Sequence, residues 1–246
     1  MKLSRIILML LSIVLMASGF ACAQDLLEQG LTAQKEKKHD QAVELLRQFL
    51  KKSPKNPEAW KARAQSLNAL ERRQEALQNL EKGLKYNPKN ASLMLAKGKL
   101  LADLERRPEA IAAFGKLLAL QPNNVDALKE RAENYINEAA LDKAMADLGK
   151  AKVLAPSDPW VYHKTGMALF CLNRYNEAVD AFSTAIKLSP ETPLFYFSRG
   201  ELYLRHLDSR DKAIADFEKG CSLDFPLCCH ELEMLKAQTQ LSEPGK

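Results

Sequence analysis

Glycine is scarce, with ten among 246 residues, and there is no Gly/Ser-rich or low-complexity stretch to serve as a linker. No glycine-rich phosphate loop, Gly-x-Ser-x-Gly nucleophile turn or paired-carboxylate constellation occurs. The four histidines, His39, His163, His206 and His230, stand far apart, and neither His-x-x-x-His nor Cys-x-x-Cys is found, so metal-ligand spacing is absent. Cys228-Cys229-His230 gathers three potential ligands, but haem attachment needs two residues between the cysteines. Glu130 and Glu133 stand one helical turn apart and read as solvated surface. Catalysis, metal and cofactor have no residues to carry them; the expectation is a non-enzymatic chain with no cofactor.

Concentrated charge is lacking too. Lys and Arg number 36 against 31 Asp and Glu, a net +5. Nucleic-acid binders show clustered basic patches, so that partner class is not expected.

What is present begins with an address. Lys2 and Arg5 precede an apolar run, Ile6 to Met16, and a small-residue tail ending Ala21-Cys22-Ala23. A charged start, a short greasy middle and a small-x-small end describe a secretory signal peptide over 1–23, with cleavage before Gln24. The expected location is periplasmic or secreted. Two alternatives stay open: an uncleaved anchor, because Ile6 to Ala23 approaches the lower limit of a span, and lipidation of Cys22, because Gly19-Phe20-Ala21-Cys22 resembles a bacterial lipobox at its last two residues. Membrane association is expected only in those two cases.

The remainder repeats. Pro54, Pro88, Pro122, Pro156 and Pro190 are 34 residues apart, and so are Gly30, Ala64, Gly98, Ala132, Gly166 and Gly200. Ala42, Ala76, Ala110, Ala144 and Ala178 make a third column in the same register. Between the columns the apolar residues follow helical spacing: Tyr162, Gly166 and Leu169 share one face, Ala178, Phe182 and Ala185 another. Asp40, Gln74, Pro108, Asp142, Asn176 and Asp211 recur two residues before each second-helix alanine, where Asp and Asn are expected to accept hydrogen bonds from free N–H groups. The prolines close each second helix, because proline disfavours helical geometry in the residue before it.

A 34-residue helix-turn-helix unit with Trp60-Lys61-Ala62-Arg63-Ala64, Ala76, Leu80 and Pro88, and again with Tyr162 to Gly166, Tyr175, Ala178, Phe182, Ala185 and Pro190, resembles the tetratricopeptide repeat (TPR). The resemblance implies an all-α, right-handed solenoid of about six hairpins, with repeats near 24–56, 57–90, 91–124, 125–158, 159–192 and 193–225. The sixth has one extra residue in its turn, Leu207 to Asp211, since Gly200 to Ala213 is one longer than Gly166 to Ala178. Residues 226–246 are expected to form a capping helix and short tail, with Leu227, Glu231, Met234, Leu235 and Gln238 along the helix and a polar outer face.

With the leader removed, Cys171, Cys221, Cys228 and Cys229 stand in an oxidising space. A Cys221–Cys229 bond would staple the last helix onto the stack, resembling the cysteine-rich helical-repeat family, in which cysteines eight apart join consecutive helices. A Cys221–Cys228 link, or four reduced thiols acting as small core hydrophobes, are the alternatives.

In TPR stacks the first helix of each hairpin lines a concave groove. From the second to the fourth repeat the matching residues are polar, among them Lys61, Gln65, Asn68, Lys99, Asp103 and Lys129. In the fifth and sixth they are Trp160, His163, Met167, Phe170, Leu194, Phe197, Glu201 and Leu204. Aromatic and Met side chains on an accessible concave surface suit a protein-binding hot spot. The expected function is an interaction scaffold or adaptor of a bacterial-type cell envelope, holding a protein or peptide partner. The alternative is a lipid-anchored assembly factor for pili or outer-membrane machinery. Self-filling of the apolar stretch by the last helix, or by the chain's extreme C-terminus, also stays open.

Overall fold

The computed structural model describes residues 24–242; the proposed leader and Cys22 lie outside them. Every element among the described residues is helical: α1 (24–35), α2 (His39–Lys52), α3 (Pro57–Ala69), α4 (Arg73–Tyr86), α5 (Ala91–Asp103), α6 (Arg107–Leu120), α7 (Val125–Asn137), α8 (Leu141–Leu154), α9 (Pro159–Cys171), α10 (Tyr175–Leu188), α11 (Pro193–His206), α12 (Arg210–Ser222) and α13 (Pro226–Ser242). None of them is long and apolar enough to cross a membrane. The chain divides into two compact units after Pro122. The first holds three hairpins, α1–α2, α3–α4 and α5–α6; the second holds α7–α8, α9–α10, α11–α12 and α13.

The small-residue columns do what their size allows. A β-carbon built on Gly98, Gly166 or Gly200 would lie 2.4, 2.5 or 2.7 Å from the ring of Phe114, Phe182 or Phe217 on the following helix. Where the first helix carries Ala64 or Ala132, the facing residue shrinks to the buried Leu80 or Leu148. These five hairpins therefore keep their helices close by trading volume across one contact, whereas in the first hairpin Gly30 faces Leu46.

The turn inside each hairpin reverses through a left-handed residue: Lys37, Glu71, Glu105, Ala139 and Asn173 all have φ between 55° and 60°. In the fourth hairpin Ala139 N–H donates to Ile136 and Ala140 N–H to Tyr135, the paired bonds of a Schellman motif. In the sixth, α11 has 14 residues where α9 has 13, the left-handed residue is Asp208, and Ser209 N–H reaches back to Tyr203. The extra residue is thus absorbed at the end of α11.

The capping chemistry differs from the sequence expectation. Asp40, Asp142 and Asp211 lie inside the first turn of their helices, and the N-cap positions before them, Lys38, Ala140 and Ser209, make no side-chain cap bond. At the starts of the other three second helices, α4, α6 and α10, the N-cap is an arginine paired in two bonds with the glutamate three residues on: Arg72–Glu75, Arg106–Glu109 and Arg174–Glu177. The side-chain caps belong to the other helices of the hairpins, where Asn56, Asn90 and Asn124 accept from Ala59, Leu93 and Ala127, and Asp158 accepts from Trp160. That is a further 34-residue column, placed before the first helix rather than the second.

Buried polar groups are braced in alternate hairpins. Arg63 binds Asn79 at 2.7 Å, while Arg131 and Arg199 grip the buried Asp147 and Asp216 through two bonds each. A planar guanidinium matches a carboxylate in this way, which leaves neither charge unpaired on burial.

Candidate functional site: an apolar pocket on the first helices of two repeats

Helices α9 and α11 start alike. Pro159 and Pro193 occupy their first turns, and the preceding Asp158 caps α9. This register turns Trp160, Met167 and Phe170 of α9 and Leu194, Phe197 and Glu201 of α11 toward one another, around a pocket of about 540 Å³. His163 lines it as well. Trp160 and Phe170 remain 42% and 38% exposed, so their faces are open to an incoming group.

Leu204 departs from the expected set. It does not line the pocket; it packs with Phe197 against the core formed by Ala213, Phe217, Cys228, Leu232 and Leu235. The equivalent place one repeat earlier, Phe170, is open, whereas α13 covers Leu204. No residue of α13 lines the pocket, so its described part does not fill it.

His163 is only 5% exposed. Its ring sits 5.0 Å from that of Phe195 and 5.5 Å from that of Phe182. Burial, helped by the neighbouring Lys164, pushes its pKa down from 6.5 to about 4, so it is neutral at physiological pH. Nε2 lies 2.9 Å from Ser198 Oγ, and that hydroxyl donates to Leu194 O at 3.0 Å. The serine proton is therefore committed, and Nε2–H is the donor to Oγ. The pair ties α9 to α11.

Sequence reasoning missed the two cations of the rim. Lys164 pairs with Glu133 of α7, Arg205 Nε binds Glu201 Oε2 at 2.6 Å, and Arg205 also reaches Glu231 of α13 at 3.6 Å. Lys164 and Arg205 sit one turn beyond Trp160 and Glu201, a helical spacing that could have flagged them. The result is an apolar floor with charges at its edge, the arrangement of a protein-binding surface.

In the first unit, Lys61, Gln65, Asn68, Lys99 and Asp103 ring a smaller pocket of about 340 Å³ whose floor includes Leu80, Leu95 and Leu100. In the second unit Lys129 is spent on Asp126 and Asp158. Cys221 and Cys229 are bonded, holding α13 to α12, while Cys228 is a buried free thiol and Cys171 an exposed one. Burial lifts Cys228 to a pKa of about 11, which keeps it protonated. Among the described residues no group of three His, Cys, Asp or Glu side chains is placed to hold a metal ion.

Family models described as tetratricopeptide repeat match residues 33–100 and 95–159, and one described as TPR repeat matches 166–206. The chain belongs to the tetratricopeptide-repeat family. TPR hairpins also account for its likeness to solved structures. A TPR protein from Parabacteroides merdae is 17% identical, with 87% of this chain and 98% of that one covered and a TM-score of 0.67. PilW, titled a widely conserved type IV pilus biogenesis factor, is 18% identical, with 80% and 91% covered and a TM-score of 0.72. MamA from Desulfovibrio magneticus is 22% identical, with 68% and 94% covered and a TM-score of 0.59. At these identities the likeness concerns the TPR fold alone. A comparison with curated proteins found no match. TPR proteins generally bind protein partners, and the coarse function of this one is protein–protein interaction.

Proposed function

We propose that the protein is a non-enzymatic scaffold or adaptor of the bacterial cell envelope, which holds an apolar helix or peptide of a partner in the α9–α11 pocket. The observation that carries this reading is the pocket itself. Trp160 and Phe170 are large, rigid and partly bare on a concave floor, and burying such side chains is what usually dominates binding energy. The envelope assignment rests on the leader pattern of residues 1–23.

A second reading, an assembly factor for pili or outer-membrane machinery anchored through Cys22, draws on the likeness in fold to PilW. Mass spectrometry of the exported protein separates the two: a lipid on Cys22 favours the second, an N-terminus at Gln24 removes it.

The pocket is tested by affinity capture from envelope fractions with wild type beside Trp160→Ala. The expected result is loss of a discrete partner at unchanged melting temperature. Undiminished capture of every partner by the variant contradicts the reading.

A further inference from the structure

Helix α13 was expected to be a cap with a polar outer face. Its buried face is Cys228, Leu232 and Leu235, whereas Leu227 and Met234 are 52% and 50% exposed. They lie seven residues apart, two turns along one face. The starting prolines Pro159, Pro193 and Pro226 align α9, α11 and α13 position by position. In that alignment Leu227 is the counterpart of Trp160 and Leu194, and Met234 is the counterpart of Met167 and Glu201. All four counterparts line the pocket. Helix α13 thus presents the ligand-facing positions of a seventh first helix, fixed in place by the Cys221–Cys229 bond.

Between the pocket and this stripe lies a charge imbalance. Arg205 serves both Glu201 and Glu231, so two carboxylates share one guanidinium. Glu201 Oε1 is buried and has no hydrogen-bond partner, and an acceptor left so is costly until a donor reaches it. The surrounding field has the same sign: residues 123–246 carry 15 Lys and Arg against 19 Asp and Glu.

We infer that the binding surface continues from the α9–α11 pocket across Glu201 and Glu231 onto Leu227 and Met234, and that it takes a partner segment with a Lys or Arg set between two large apolar residues. The inference rests on the pocket reading above and adds the third helix and the cation. Packed helices stand about 8–10 Å apart, so the two apolar anchors must be separated by about that distance. Two turns of a helix or three extended residues span it. The cation would supply the donor that Glu201 Oε1 lacks and balance the second carboxylate.

Selection of a random 15-residue peptide display library on the intact protein tests this without assuming a partner. Recovered peptides whose binding depends on Trp160 are expected to carry Lys or Arg between two large apolar residues. Glu201→Gln with Glu231→Gln should cut their affinity about tenfold, as should Leu227→Lys, while a peptide truncated to its first anchor should ignore Leu227→Lys. Trp160-dependent peptides without basic enrichment, or indifferent to Leu227→Lys, would overturn the inference and leave the pocket reading standing. Recovery of no Trp160-dependent peptide would overturn both.

Discussion

Gly166 lies so close to Phe182 that a β-carbon on it would stand 2.5 Å from the ring, whereas the equivalent addition at Gly149, on the exposed side of α8, meets nothing within 4 Å. The two glycines therefore respond oppositely to the same change. Gly166→Ala should cost about 1–3 kcal/mol through overpacking, despite alanine's higher helix propensity. Gly149→Ala should gain up to about 1 kcal/mol from that propensity alone. Denaturant unfolding of both variants measures the contrast.

Ala139 holds a left-handed conformation that costs an L-residue about 1–2 kcal/mol. Ala139→Gly relieves that strain and gives back part of it as unfolded-state entropy. A net stabilisation of about 0.5–1 kcal/mol is expected, read from the same unfolding curves.

His163 makes stability depend on pH. Its folded pKa, about 4, lies below the ordinary 6.5, so between those values the unfolded chain takes up a proton that the folded chain refuses. The neutral ring's contribution is therefore complete above about pH 6.5 and is lost as the pH falls toward 4, by up to about 3 kcal/mol. His163→Phe, matching Phe197 one repeat on, should flatten that part of the profile. Melting temperature followed from pH 7 to pH 4.5 in both proteins decides it.

Bonding Cys221 to Cys229 closes a loop of eight residues. Cys221→Ser should cost about 2 kcal/mol in the chain-entropy account and loosen α13 first, since α13 is the last helix of its unit. Amide exchange in α13 should rise more than in α9 or α10; uniform exchange would show the bond to be idle.

The hairpins were legible because three columns of small residues and prolines carry packing and termination directly, as Gly166 against Phe182 and Pro190 after α10 show. The caps were misplaced because Asp40 and Asp142 have the right chemistry but stand two residues past the N-caps of the second helices, while Asn56, Asn90 and Asn124 cap the first helices. Seven of the eight groove residues line the pocket; Leu204 does not, because it packs instead on the cluster that α12 and α13 form, and α13 lies past the last 34-residue column. Leu227 and Met234 were read as part of a cap for the same reason. With three residues rather than four between α12 and α13, Pro226 follows Pro193 by 33 residues, so the 34-residue register slips by one there and hides the alignment of α13 with α9 and α11.

The pocket's role as a partner site is tested most directly by placing a photo-reactive residue at Met167 and irradiating intact cells. The account predicts a crosslink to a second protein that disappears when Trp160→Ala is added. Crosslinks found only within the chain itself, or a partner crosslink indifferent to Trp160, would contradict it.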